Sequence, residues 1–291
     1  MNMDESRYVI ITAVRDEAEY VGRTIESVLA QTVKPAEWVL VDDGSSDGTG
    51  EIIRQYADRY AWIKSITREN RGYRKPGQGV VEAFYAGYSS LVTRDYGFIV
   101  KLDGDLIFSE DYFEKCFERF ARNHRLGIGG GGVYNIIDGK KVLEKNPTFH
   151  VRGATKIYRR ESWEKIGGIE RLTGWDTIDE VKANMHGWET MTFPDLEVIQ
   201  LRPTGSANGS FKNMVKNGRA NYISHYHPLF VVAKVFWRAL KKPILMESIA
   251  ILYGYISAAI KRESRIDDID FRNYIREQQL RKITFRSSIW H

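Results

Sequence analysis

Asp103-Gly104-Asp105 ends the apolar run Phe98-Ile99-Val100-Lys101-Leu102. A buried strand that delivers two carboxylates, one residue apart, into a loop can hold a hard divalent cation such as Mg2+ or Mn2+. Such cations take oxygen ligands and keep positions open for water or substrate phosphates. Alone, an Asp-x-Asp is more commonly two solvated loop aspartates, so its weight comes from its surroundings. Arg15-Asp16-Glu17 follows the run Tyr8–Val14, and Asp42-Asp43-Gly44-Ser45 follows Trp38–Val41. Each of these groups could by itself be helix caps and turn residues. Three polar groups at three strand ends are hard to explain by capping alone, because strand ends in an open parallel sheet converge on one ligand crevice. Between them lies Arg68–Gly79, a basic, glycine-rich loop before a helix. It could cradle phosphates through backbone N–H groups and Arg74 or Lys75, or be a solvated loop with ordinary surface charge.

The elements that must position these groups read as stacked βα units with a mainly parallel sheet. Strands are expected at Tyr8–Val14, Trp38–Val41, Ile63–Thr67 and Phe98–Leu102. Helices are expected at Ala18–Ala30, from Asp47 or Thr49 to about Ala61, at Gly79–Leu91, and from a Ser109 cap through Phe120. Gly127–Gly132 suits close backbone approach or a bulge. Val151–Tyr158 and Thr190–Ile199 look like further strands, with a short helix from about Thr177 to His186 between them. From Phe211 onward everything reads helical.

The ordered strings Ala13-Val14-Arg15-Asp16-Glu17, Val41-Asp42-Asp43-Gly44-Ser45-Ser46-Asp47-Gly48-Thr49 and Leu102-Asp103-Gly104-Asp105 resemble the family 2 glycosyltransferases over roughly residues 7 to 200. The resemblance implies the GT-A fold, a Rossmann-like central sheet flanked by helices, followed here by an all-helical C-terminal extension. It implies a glycosyltransferase domain at 1–205, with a nucleotide half at about 7–125 and an acceptor half at about 126–205; the shift in composition near residue 205 sets off a helical, basic extension at 206–291. It also implies a nucleotide-sugar donor (UDP-, GDP- or dTDP-linked) and a divalent cation, Mg2+ or Mn2+. On that implication Ala13, Arg15, Glu17, Asp42, Asp43, Arg74, Lys75 and Asp103 meet the nucleotide. Asp103 and Asp105 lie at the metal, with Asp105 the more direct ligand. Arg152, Gly153 and Trp175 face the sugar and acceptor.

Members of the family usually invert the anomeric centre and need one general base, placed in an acidic pair at the start of a short helix. Aligning Gly187-Trp188 with the family's Gly-aromatic close puts Asp176 at the base position and Trp175 where an acid is more typical. That departure leaves Asp179 and Glu180 open. Thr177-x-x-Glu180 fits a capping box, which gives Glu180 a structural role. Asp176 is the first candidate, with Asp179 in reserve.

Composition sets the outer bounds. With 43% apolar and 28% charged residues in 291, the chain is an ordinary globular one. The single cysteine, Cys116, lies among Phe113, Phe117 and Phe120 and reads as a buried structural thiol; an intrachain disulfide and a thiolate zinc cluster are excluded. His150, His186, His225 and His227 fit no standard zinc spacing. The polar N-terminus shows no signal peptide, so a cytoplasmic setting is expected. Charge is uneven: residues 202–291 carry 16 basic and 6 acidic side chains. The same region holds the apolar segments Leu229–Leu240 and Ile244–Ile260, too short or too interrupted to span a bilayer. An amphipathic hairpin on the inner face of an anionic membrane, packing into a second subunit, and a plain helical cover for the sheet are the open explanations. Nucleic-acid binding is expected to be weak and non-specific.

Three functions compete. The leading one is an inverting, metal-dependent glycosyltransferase acting on a glycan or lipid-linked acceptor in cell-envelope polysaccharide synthesis. A nucleotidyltransferase making the nucleotide sugar would be expected to carry a glycine-rich, lysine-containing loop after the first strand, where this chain has Arg15-Asp16-Glu17. A non-catalytic glycan-binding or assembly subunit would keep the fold without turnover.

Overall fold

A computed structural model describes residues 7–73, 77–202, 210–239 and 245–290. The first half alternates β1 (Tyr8–Val14), α1 (Val21–Leu29), β2 (Glu37–Asp42), α2 (Thr49–Ala57), β3 (Ile63–Thr67), α3 (Gln78–Ser89) and β4 (Phe98–Leu102). Then come β5 (Leu106–Phe108), α4 (Tyr112–Arg122), β6 (Leu126–Ile137), β7 (Lys140–Leu143), β8 (Thr155–Arg159), α5 (Arg160–Ile166), α6 (Trp175–Met185) and β9 (Glu189–Gln200). The chain closes with α7 (Ser210–Ile223), α8 (Pro228–Ala239), α9 (Leu245–Ile260) and α10 (Ile269–Ile283).

The strands form one sheet in the order β3-β2-β1-β4-β8-β6-β9-β5, with β7 paired on β6. The block β3-β2-β1-β4 is parallel. Beyond it the sheet is mixed: β8 is antiparallel to both β4 and β6, while β6 and β9 run parallel with register shifts at Leu126/Ile128 and Gly131/Gly132. The glycine-dense stretch is therefore the irregular part of a long strand. Three short elements gave no usable period and were not expected from sequence, namely β5, β7 and α5. Ser109 does not cap α4; its hydroxyl bonds the Asp111 carboxylate at 2.7 Å.

Interior parallel strands are covered on both faces, so β1, β2 and β4 are nearly continuous apolar runs. Alternate side chains divide between two cores. Tyr8, Ile10, Trp38 and Leu40 pack with Phe113, Phe117 and Phe120 of α4 on one face. Val9, Ile11, Val39 and Val41 pack with Phe84 of α3 and with Trp163 and Ile166 of α5 on the other. Cys116 lies buried and free in the first core. There, burial pushes its thiol well above the ordinary value. A third core joins Ile178 and Val181 of α6 to Tyr226, Phe230, Phe271, Ile275 and Trp290 of the C-terminal helices. Within those helices α7 and α9 cross at two glycines. A Cβ on Gly218 would stand 2.0 Å from the Ile251 carbonyl oxygen, and one on Gly254 would stand 2.1 Å from that of Val215.

Parallel register brings the carboxyl ends of the first strands level. Val14 pairs with Asp42, and Ile11 pairs with Lys101. Three residues further along, Gly104 comes against Val14, and a Cβ on Gly104 would stand 2.3 Å from Val14 Cγ1. The glycine between the two aspartates is thus dictated by the neighbouring strand. Gly104→Ala should cost about 1–3 kcal/mol through overpacking, read as a lowered urea midpoint, and Val14→Ala in the same chain should restore part of it. A midpoint unmoved by Gly104→Ala would show that the strands do not meet as described.

Candidate active site

The turns after β1 and β2 are stitched to one another. Glu17 N–H donates to Thr49 Oγ1 (2.8 Å), Ala18 N–H to Asp47 Oδ2 (3.0 Å), Asp16 N–H to Ser45 Oγ (2.9 Å) and Ser46 N–H to Asp16 Oδ1 (2.9 Å). Asp47 Oδ1 also takes the Thr49 N–H at 3.0 Å, which anchors the start of α2. Asp42 belongs to this stitching. Its Oδ1 accepts from the Ser45 N–H at 2.8 Å, and it does not line the cavity described below. Asp43 does line it, with its carboxylate clamped by Arg68 (2.5 Å) and by both terminal nitrogens of Arg71 (2.6 and 2.9 Å). Arg15 spans the same corner, donating to Asn70 Oδ1 at 2.8 Å.

A cavity of about 370 Å³ opens over these strand ends. It gathers Ala13, Arg15, Glu17, Asp43, Asp103 and Asp105 from the parallel block, and Arg152, Gly153, Trp175 and Asp176 from the second half. Five charged or polar lining residues were not among the named candidates: Arg71, Lys101, Gln200, Arg202 and Lys216. Lys101, a lone charge in an otherwise apolar strand, was the one visible signal among them. Its buried ammonium bonds Asp103 and the Gly153 carbonyl. Gln200 and Arg202 arrive only because β9 pairs with β5, and Lys216 because α7 folds back from the helical tail. Arg74 and Lys75, the phosphate candidates of the basic loop, lie outside the described residues; Arg71 of the same loop faces the cavity.

The two aspartates differ. Asp105 is buried, and burial first, then the neighbouring Asp103 charge, pushes its carboxyl up to about 6. Gln200 at 3.2 Å and Arg202 at 3.8 Å offset this in part, and Arg202 also pairs with Glu17. Asp103 is partly exposed beside Lys101. Two crowded carboxylates are a hard-oxygen donor set that a divalent cation would relieve, so the residues fit one. Among the described residues no group of three or more acidic, histidine or cysteine side chains could hold a metal. A cation here would therefore take its other ligands from water or a bound ligand, as Mg2+ usually does.

On the opposite wall, α6 is held by a buried ion cluster. Lys156 Nζ reaches Asp179 Oδ1 and Glu180 Oε1, each at 2.8 Å, and donates to the Asp176 carbonyl at 2.5 Å. Tyr158 donates to Asp179 Oδ2 at 2.5 Å, while Glu180 takes the Val151 N–H at 2.7 Å and His150 Nδ1 at 2.8 Å. Burial alone would push the Lys156 ammonium down; the Asp179, Glu180 and Asp176 charges outweigh it and hold it above its ordinary value. The capping box expected of Thr177 and Glu180 does not form, because Glu180 is drawn inward to this cluster and Gly174 precedes the helix. Asp179, the reserve base, is wholly buried in the cluster and does not line the cavity.

Asp176 points the other way, into the cavity. Burial raises its carboxyl, but His150, Lys156, Arg152 and Lys216 together hold it below the ordinary carboxylate value. Arg152 is itself fixed by Glu144 at 2.6 Å. Trp175 lies against Gly153 with the ammonium groups of Lys101 and Lys156 at 5.4 and 5.5 Å from its ring. Its π-face thus meets two cations at the position where the resemblance expects an acid. A second cavity, of about 460 Å³, shares Arg152 and Asp176 with the first and continues toward the C-terminal helices.

Residues 9–173, more than half of the chain, match glycosyl transferase family 2, and the chain belongs to that family. It is 26% identical over 194 residues to poly-beta-1,6-N-acetyl-D-glucosamine synthase of Staphylococcus aureus (strain COL), covering 65% of this chain and 44% of the relative. It is 23% identical over 168 residues to glycosyltransferase GlyA of Streptococcus pneumoniae, covering 58% of this chain and 22% of the relative. The chain thus spans less than half the length of these curated relatives. The fold is the GT-A fold of solved glycosyltransferases. A mannosyltransferase from Pyrobaculum calidifontis, in complex with GDP-Man and Mn2+, matches with a TM-score of 0.57 at 17% identity, covering 95% of this chain and 85% of that one. Residues 1-349 of S. aureus TarS match with a TM-score of 0.56 at 16% identity, covering 94% and 85%.

Lys156→Met would leave the Asp179 and Glu180 carboxylates buried without their common cation. A loss of about 3–5 kcal/mol is expected, measured by urea unfolding of the purified variant. A stability within error of the parent would strip the cluster of its structural role.

Proposed function

We propose that the chain is an inverting glycosyltransferase that moves a sugar from a nucleotide-sugar donor to a hydroxyl of a glycan or lipid-linked acceptor, in cell-envelope polysaccharide synthesis. The observation that carries this reading is the position of Asp176, whose carboxylate lines both cavities at their junction. The nucleotide lies on Ala13, Arg15, Asp43 and Asp103. The cationic side chains around the same cavity, Arg71, Arg202 and Lys216 among them, suit a diphosphate. The solved neighbour with GDP-Man and Mn2+ supports a nucleotide sugar and a divalent cation in this place, and the polysaccharide synthase relative supports the pathway class.

The acceptor hydroxyl enters from the second cavity and meets Asp176. Held ionised at neutral pH by its cationic neighbours, the carboxylate takes the hydroxyl proton as the new bond to the anomeric carbon forms and makes that proton acidic. The bond from the anomeric carbon to the diphosphate oxygen breaks on the opposite face, which inverts the centre, and the bonding pair leaves with the nucleoside diphosphate. Trp175 and Gly153 form the wall against which the sugar ring is held. A divalent cation held by Asp103 and Asp105 would neutralise charge on the leaving diphosphate.

Peripheral attachment to an anionic membrane on its cytoplasmic side belongs to this reading. On α9, Met246, Ile249, Tyr253, Ile256 and Ile260 are exposed at helical spacing, and on α8 Leu229, Val232 and Phe236 are exposed likewise. An outward apolar stripe beside Lys261 and Arg262 suits an interfacial helix. Among the described residues no helix is long and apolar enough to cross a membrane.

Asp176→Asn is expected to lower transfer at least about a hundredfold, while thermal stabilisation by nucleotide sugar with Mg2+ or Mn2+ persists. Retained turnover would sink the base assignment; absence of stabilisation by UDP-, GDP- and dTDP-sugars in the parent would sink the donor reading. Met246→Asp/Tyr253→Asp should abolish flotation with liposomes containing anionic lipid, and co-flotation equal to the parent would refute attachment through this face.

A further inference from the structure

The second cavity has a composition of its own. Its walls carry five aromatic side chains, Phe149, Tyr226, Phe230, Trp237 and Trp290. Trp290 anchors them, with ring centres 5.1 Å from Phe149 and 5.6 Å from Phe230. Trp237 is the exposed one, suited to the C–H face of a sugar ring, and the other four are buried behind it in the third core. Asn146, Asn217 and Asn221 add amides suited to hydroxyls and of no use to an acyl chain. Asn221 is buried, and among the described residues its side-chain N–H2 has no hydrogen-bond partner. A buried donor left unmade costs roughly 1–3 kcal/mol, a cost that a ligand oxygen would remove.

Charge separates this cavity from a neutral sugar site. Lys145, Lys234 and Lys282 line it together with Arg152, which Glu144 holds, and Asp176 is the one carboxylate among the lining residues. All of the lining residues come from outside the parallel block, and three C-terminal helices contribute: Asn217 and Asn221 from α7, Lys234 and Trp237 from α8, and Lys282 from α10. The geometry points to an anionic glycan as the acceptor, with a carboxylate or phosphate group on the units nearest the attacking hydroxyl. The C-terminal helices read that charge. This rests on the reading of Asp176 as the base only in calling the occupant an acceptor; binding itself is independent of the donor.

Tryptophan-fluorescence titrations test it, with Trp237 and Trp290 as reporters in the cavity wall. The probes are trigalacturonate, a glycerol-phosphate trimer and neutral maltotriose, at low salt and without nucleotide. At least one charged probe is expected to bind about tenfold tighter than maltotriose, and the stronger of the two identifies the anion as carboxylate or phosphate. Lys282→Gln, at a partly exposed position where folding is not at stake, should cut that preference several-fold. Equal affinity for the three probes, or an undiminished preference in the variant, overturns the proposal. Since no donor is present, either failure leaves the nucleotide-sugar reading standing, and that reading fails separately if no nucleotide sugar stabilises the protein.

Discussion

A lysine with no solvent contact holds the site together. Lys156 stands on β8, and its ammonium is satisfied by two carboxylates and a carbonyl from the first turns of α6. Burying a charge is tolerable only when pairing and hydrogen bonds are complete. Completeness here requires α6 to sit at one height and one rotation on the sheet. With that fixed, Trp175 falls onto Gly153 and Asp176 faces the cavity. The Glu180 carboxylate extends the same constraint to the His150–Val151 segment that precedes Arg152. The acidic residues of α6 therefore divide the labour: Asp179 and Glu180 hold the helix, which leaves Asp176 to line the cavity.

The opposite wall is built by a different rule. Parallel pairing sets the strand ends level, and the stitched turns after β1 and β2 remove their own polar groups from competition for ligand. What lines the cavity is a corner of carboxylates and cations in close balance, suited to a group with its own strong charge. One wall is thus positioned by backbone register and the other by side-chain electrostatics, and they meet at Lys101, which bonds Asp103 on one side and the Gly153 carbonyl on the other.

The parallel half of the fold was legible because its strands are continuous apolar runs punctuated by Asp, Gly and Ser, and β1, β3 and β4 have the expected bounds. Most of the polar residues at the strand ends could also be placed, since an open parallel sheet gives them one side to face. The rest was not, for physical reasons. Asp42 and Asp43 are adjacent and chemically alike; which one turns into the Ser45 turn and which into the cavity depends on Arg68 and Arg71 arriving from another strand. Glu180 fitted a capping spacing, but a buried lysine 24 positions earlier in the chain outbid the helix end. Gln200, Arg202 and Lys216 carry no local mark, because only the mixed half of the sheet and the return of α7 bring them to the crevice.

The glycine crossing of α7 and α9 has a mechanical meaning. Where two helices are kept apart by side chains, rotamer changes can absorb a displacement; at Gly218 and Gly254 backbone lies on backbone and nothing soft stands between them. Pressing α9 inward must push α7 with it. The adjoining residues of α7 carry Lys216 into one cavity and Asn217 and Asn221 into the other, so a displacement of α9 would reach both. Whatever rests against that face bears on both cavities at once.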